Sequence, residues 1–269
     1  MSVPAVPPVI LSFAASDPTG GSGAQADLLT IAALGGHPAL VLTGMTIQDT
    51  RGITACQPQK TTWVDAQARA ILEDMPVAAI KIGFVGNPDI ALTIAEIVAD
   101  YPDIPVVLAP SLKTSGQNSF ADDELVSAIC NILLPLTTLA TPNSLEARRM
   151  VEEDEEITPS LPECARQLID LGLEYVLITG THEPTPQVIN TLYGPGGIVV
   201  QTDAWERLRH SYLGAGDTLA AAIATLLGFR LPLVQAVRKA QNFTWHSLRH
   251  SFATGMGRRI PDRFFANRK

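Results

Sequence analysis

Short apolar runs alternate with stretches of helical period along most of the 269 residues. Val9–Phe13, Pro38–Thr43, Ala78–Ile82, Val106–Leu108, Thr138–Ala140 and Tyr175–Thr179 are brief and almost wholly apolar. Between them lie Gln25–Leu34, Thr62–Asp74, a segment opened by Asn87-Pro88, Leu125–Leu134 and Leu161–Leu171, which carry apolar residues at helical spacing. Val64, Ala68, Ile71 and Leu72 form one such stripe, and Ile90, Ile94, Ile97 and Val98 another. Strands that are apolar on both faces and separated by helices predict an α/β fold in which a mostly parallel sheet is covered on both sides. Further on, Val188–Tyr193 and Ile198–Thr202 flank Gly194-Pro195-Gly196-Gly197 and predict a hairpin. Helices over Ala220–Leu227 and Val234–Leu248 follow. In such folds ligands sit beyond the carboxyl ends of the strands, so the loops after the strands are where chemistry is sought.

Composition narrows the choice of ligand. Hydrophobic residues make up 46% of the chain and charged residues 17%, a globular balance. The net charge of −8 and the lack of a basic stripe speak against a nucleic-acid partner. Against that charge, an anionic substrate needs local cations or backbone N–H groups. Three widely spaced cysteines suggest neither a disulfide framework nor a zinc site. Met1–Pro8 is uncharged and Pro-rich, unlike a signal peptide, and no run is apolar for long enough to span a membrane. The expectation is a cytoplasmic protein with a short tail, 1–8, and one domain, 9–269.

Two glycine loops stand out. Leu213-Gly214-Ala215-Gly216-Asp217-Thr218 opens an apolar helix. Backbone N–H groups in such a turn form a concave anion site to which the helix dipole adds. Asp217 fits there in two ways. It caps the helix, or it takes a proton from an attacking hydroxyl while the N–H groups of Gly214, Ala215 and Gly216 hold a transferring phosphoryl group. No Gly-Lys-Ser/Thr follows, so this is not a Walker A loop. The other loop, Ser16-Asp17-Pro18-Thr19-Gly20-Gly21-Ser22-Gly23-Ala24-Gln25-Ala26-Asp27, follows the first strand. Part of it fits G-x-G-x-x-A, but no acidic residue closes the expected second strand at Thr43, as a dinucleotide site requires; Asp49 comes later.

Taken together, these segments resemble the hydroxymethylpyrimidine/phosphomethylpyrimidine kinase family, ribokinase-like enzymes of thiamine biosynthesis. The resemblance rests on the Ser16–Asp27 segment, Thr46-Ile47-Gln48-Asp49-Thr50, Lys81-Ile82-Gly83, Thr141-Pro142-Asn143 with Glu146, and the Gly214–Thr218 loop. It implies a three-layer αβα fold, ATP and Mg²⁺ as cofactors, and a homodimer. The implied reaction is phosphorylation of 4-amino-5-hydroxymethyl-2-methylpyrimidine, with its monophosphate as a possible second acceptor. The resemblance puts Ser22, Asp27, Gln48 and Phe84 around the pyrimidine, where a carboxylate and a carboxamide suit an aminopyrimidine edge. It puts Asn143, Glu146, Thr179 and Thr218 on the nucleotide side, with Asn143 and Glu146 holding Mg²⁺ through water.

Some positions differ from the family pattern. Asp217 stands where a cysteine is usual, and sugar and pyridoxal kinases use an Asp there. Ala109-Pro110 stands for Asp-Pro, Thr179 for a lysine, Phe84 for a methionine and Ser22 for an alanine. Asp217 leaves a pyridoxal or pyridoxine kinase as an alternative. Ala109 and Thr179 leave a pyrimidine-binding homologue without kinase activity as another. A carboxylate at 217 also predicts that the alcohol is phosphorylated faster than its already charged monophosphate. His246 and His250, four apart, read as a solvated helix face. Glu152–Glu156 reads as a surface loop, and Arg258, Arg259, Arg263, Arg268 and Lys269 as a basic surface segment.

Overall fold

The computed structural model describes residues 6–112, 114–115, 118–119, 121–151 and 158–267. Nine strands share one sheet: β1 (Val9–Ser16), β2 (His37–Gln48), β3 (Ile53–Pro58), β4 (Val77–Ile82), β5 (Val106–Leu108), β6 (Leu139–Ala140), β7 (Tyr175–Thr179), β8 (Gln187–Gly194) and β9 (Ile198–Glu206). Their spatial order is β9-β8-β7-β6-β5-β4-β1-β2-β3. From β7 to β2 all neighbours run parallel. The edges are antiparallel, β3 on β2 at one side and the β8–β9 hairpin at the other. A two-residue ladder, 114–115 with 118–119, stands apart.

The helices are α1 (Gly23–Ala33), α2 (Thr61–Asp74), α3 (Pro88–Ala99), α4 (Asp123–Ala128), α5 (Ser144–Val151), α6 (Leu161–Asp170), α7 (Ala215–Gly228) and α8 (Leu233–Arg249). Successive strand residues point to opposite faces, and both faces here are covered. Leu11, Phe13 and Ile80 therefore join the core under α2 to α6, while Ile10, Ala79 and Val107 join the core under α1, α7 and α8. That double burial is why the strands read as unbroken apolar runs. The three-layer αβα architecture expected from the sequence is the one observed.

Local departures have local causes. β2 runs to Gln48, five residues past the expected end at Thr43, because its outer half pairs with β3, which the sequence reading lacked. Asp49 thus follows the strand directly, but its carboxylate accepts from the N–H groups of Arg51 and Gly52 and shapes the hairpin turn. The helix expected over Leu125–Leu134 is α-helical only to Ala128. It then widens into a π-turn and tightens into a 3₁₀ turn containing Pro135, which has no N–H to continue an α-helix. Asn87 caps α3 as expected, accepting from Ile90 N–H at 2.9 Å. His246, on α8, and His250, the residue that ends it, both stack on Phe265. Glu152–Glu156, Arg268 and Lys269 lie outside the described residues. Among the described residues, no helix is long and apolar enough to cross a membrane.

One ion pair outside the site predicts an acid response. Arg148 of α5 grips Glu183, beyond β7, through two contacts at 2.7 and 3.1 Å. Hydrogen bonding from Arg148 holds the Glu183 carboxyl down at about 2. A carboxyl with a depressed folded-state pKa stabilises the protein above its unfolded value, and this contribution disappears as pH falls toward the folded value. Thermal melts between pH 6 and pH 2.5 should therefore show a smaller acid-induced fall in Tm for Arg148→Ala than for the parent, with the two curves converging at low pH. Parallel curves would contradict this.

Candidate active site

The carboxyl ends of β1, β2 and β4 meet the N-terminus of α7, and the two glycine loops pack against each other there. Gly214 is the N-cap of α7 and holds a left-handed conformation, φ 76°. A Cβ on it would collide with the carbonyl oxygen of Gly21, so both the conformation and the contact demand glycine. The amides of Ala215, Gly216 and Asp217 precede the first intrahelical bond, from Thr218 N–H to Gly214 O. A Cβ on Gly216 would meet nothing within 4 Å among the described residues, so the first turn opens outward at that point. An N-terminal turn of this kind favours an anion.

Asp217 is the third residue of α7 and is only 5% exposed. Its carboxylate accepts from the Gly23 N–H at 3.2 Å and lies 3.4 Å from the Lys81 ammonium. The simple capping reading does not hold, because the cap is Gly214 and these contacts lead out of the helix.

Lys81 was not singled out as a site residue by the sequence reading. It sits on β4 with its side chain wholly buried. Its Nζ donates to Asp27 Oδ2 at 2.8 Å, and Ser12 Oγ donates to the same oxygen at 2.6 Å. Burial pushes the Lys81 pKa down, but Asp27 and Asp217 together more than offset this, and the net direction is up. Burial raises the Asp27 carboxyl, with Lys81 opposing. A Cβ on Gly83 would collide with the Lys81 ammonium, which accounts for glycine two residues on. The legible signal was a lone lysine in the apolar run Ala78-Ala79-Ile80-Lys81-Ile82, since a charge in a strand buried on both faces needs a counter-ion.

Asp27, implied beside the acceptor, is 0% exposed, and Ser12 and Lys81 converge on its Oδ2, which makes it the buried counter-ion of Lys81. Thr218, implied on the nucleotide side, is fully buried; its hydroxyl donates to Gly214 O at 2.8 Å and accepts from Arg263 Nε. One expectation is corrected: Arg263, expected on the surface, is found 3% exposed.

Of the other residues implied beside the acceptor, Ser22 and Gln48 are in contact. Ser22 donates to Asp17 Oδ2 at 2.8 Å and accepts from Gln48 Nε2 at 3.2 Å. Thr46 Oγ1 donates to Ser16 O at 2.9 Å and lies 3.1 Å from Gln48 Oε1. Phe84, half-buried, follows β4, and its carbonyl accepts from Thr43 Oγ1. Asn143, Glu146 and Thr179, implied on the nucleotide side, form a second cluster, beyond β6 and β7. Asn143 Oδ1 accepts from Glu146 N–H while Glu146 Oε2 accepts from Asn143 N–H, both at 3.0 Å, a reciprocal capping box that starts α5. Thr179 N–H donates to Pro142 O, which sets Thr179 beside Asn143.

Mg²⁺ usually keeps several waters and takes only one or two carboxylates besides substrate phosphates. The half-exposed Glu146, at the carboxyl edge of the sheet, fits that modest demand. No group of three or more His, Cys, Asp or Glu residues able to hold a metal occurs among the described residues, so a site built wholly from such side chains is not what this edge provides.

A sheet of this order, with reacting groups gathered at its carboxyl edge against a helix N-terminus, is the architecture of the ribokinase-like small-molecule kinases. Bacillus subtilis pyridoxal kinase, solved as an ADP complex, matches it with a TM-score of 0.87 and 26% identity, over 97% of this chain and 98% of that one. Phosphomethylpyrimidine kinase from Clostridium difficile 630 matches with a TM-score of 0.74 and 27% identity, over 88% and 97%. In sequence, the hydroxymethylpyrimidine/phosphomethylpyrimidine kinase of Rhizobium meliloti is 36% identical over 87% of this chain and 88% of its own. The thiamine biosynthesis bifunctional protein ThiED of Geobacter sulfurreducens is 32% identical over 92% of this chain, which spans half the length of that relative. The family model for phosphomethylpyrimidine kinase matches residues 17–262, and the chain belongs to that family.

Proposed function

We propose that the protein transfers the γ-phosphate of ATP to the hydroxymethyl group of 4-amino-5-hydroxymethyl-2-methylpyrimidine, a step of thiamine biosynthesis. The observation that carries this reading is the meeting of the Asp217 carboxylate, the open first turn of α7 and the Ser22–Gln48 pair at one edge of the sheet. Asp217 accepts the proton of the attacking hydroxyl. The amides of Gly214, Ala215 and Gly216 stabilise the charge on the transferring group. Gln48, held by Ser22, presents its carboxamide to the aminopyrimidine edge, and Phe84 packs beside the ring. Asn143, Glu146 and Thr179 line the nucleotide side, and Mg²⁺ held there through water would neutralise phosphate charge.

A second reading, pyridoxal or pyridoxine as acceptor, is favoured by Asp217 and by the close match to the Bacillus subtilis pyridoxal kinase. Steady-state kinetics with Mg-ATP and each acceptor in turn separate the two. The pyrimidine alcohol is expected to give the highest kcat/KM. A higher value for pyridoxal or pyridoxine would replace the first reading with the second.

A further inference from the structure

The chain beyond α8 returns to the site along a defined path. Leu213 N–H donates to Arg259 O and Arg259 N–H to Ser211 O, both at 2.9 Å, so this return segment runs beside the residues leading into Gly214. Asp262 N–H donates to Ser247 O at 2.9 Å, and the Phe265 ring packs 5.6 Å from that of Phe243, which ties the segment to α8. Between these anchors Arg263 turns inward. Its Nε donates to Thr218 Oγ1 at 3.1 Å and its Nη2 to Gly21 O at 2.7 Å. One planar fork therefore bridges the first turn of α7 and the first glycine loop.

We propose that Arg263 is a positioning residue for phosphoryl transfer, locking the two glycine loops in register and balancing the negative charge around Asp217. The proposal rests on the kinase reading above. The contact from Gly23 N–H to Asp217 spans the same two loops and survives only while they stay aligned. Displacing reacting groups by about 1 Å costs on the order of 100-fold in rate. The charged groups facing the guanidinium are Asp217 on α7, Asp27 on α1 and Asp17 in the first loop. Lys81 on β4 approaches the same Asp27 and Asp217 carboxylates. Burial lowers the Arg263 pKa to about 10, against the opposing pull of those carboxylates, so it remains cationic at neutral pH. Lysine cannot replace it fully, because an ammonium is a point charge whereas the guanidinium holds several donors in a fixed plane.

Arg263→Met and Arg263→Lys test this. In Arg263→Met, kcat is expected to fall about 100-fold while KM for ATP changes less than about 3-fold, the pattern of an interaction needed in the transition state. The acid limb of its kcat/KM profile should move to higher pH, since a cation beside a carboxylate has been removed. Arg263→Lys keeps the charge, so its acid limb should stay near the parent's while kcat still falls roughly 10-fold for want of the second hydrogen bond. Independently of activity, hydrogen exchange at residues 21–23 and 215–218 should quicken together in Arg263→Met while the central strands remain protected. A folded Arg263→Met protein with parental kcat and parental exchange in both loops would overturn the proposal. If that variant does not fold, parental kcat and exchange in Arg263→Lys would overturn it equally. A parent protein without kinase activity would instead defeat the functional reading, and the exchange experiment would still test the bridge.

Discussion

Asp217→Asn is expected to lower kcat at least ~100-fold while leaving ATP affinity close to that of the parent, since a general base contributes typically ~10²–10⁴-fold. Asparagine keeps the volume, and its carboxamide oxygen can still accept from the Gly23 N–H or the Lys81 ammonium. What it loses is the capacity to take a proton. Turnover within a few-fold of the parent, measured at saturating substrates, would remove Asp217 from the chemistry. The same residue bears on the second phosphorylation. Two like charges ~4 Å apart at an effective dielectric of ~20 repel by about 4 kcal/mol, roughly 1000-fold in rate. In the structure Asp217 does not stand alone, because Lys81 lies 3.4 Å away and Arg263 is set between the same loops. The alcohol should remain the better acceptor, by a factor well below that bare-charge limit. Equal or higher kcat/KM for the monophosphate would refute this preference.

Lys81→Met is expected to cost about 3–5 kcal/mol of folding stability, because it leaves the Asp27 carboxylate buried without its counter-ion. Ser12 would then face Asp27 Oδ2, and Oδ1 has no hydrogen-bond partner among the described residues. Adding Asp27→Leu to Lys81→Met should restore much of the loss, since replacing both members of a buried pair by apolar residues is often neutral or stabilising. Urea unfolding of the single and double variants measures both effects. A single variant within ~1 kcal/mol of the parent would mean that the pair is not held as charges.

What the sequence discloses depends on how local the cause is. Runs such as Val9–Phe13 announced a doubly covered parallel sheet because burial on both faces leaves no polar alternation. Gly214 and Gly216 disclosed the open turn that starts α7 because glycine there answers to backbone geometry within a few residues. Asn143 and Glu146 were legible as a spacing, and the spacing turns out to start a helix as well as to offer a carboxylate. β3 escaped notice because it is a half-exposed edge strand whose order comes from its partner. The ion pair of Asp27 was not legible, because nothing near it in sequence announces Lys81, which lies 54 residues away. Arg263 was hidden more thoroughly, since a run of arginines reads as surface, and only the path of the chain after α8 carries one of them inward.

The Gly23–Asp217 contact joins residues 194 positions apart, and the Arg263–Gly21 contact residues 242 apart. Neighbouring βα units can pair through short closures, whereas these two contacts close nearly the longest loops available to the chain. Long-range closure must be met by entropy before its contacts are rewarded, and it slows folding. The packing of α7 on α1 closes a loop of about the same length, so in refolding catalytic competence is expected to return together with the docking of α7.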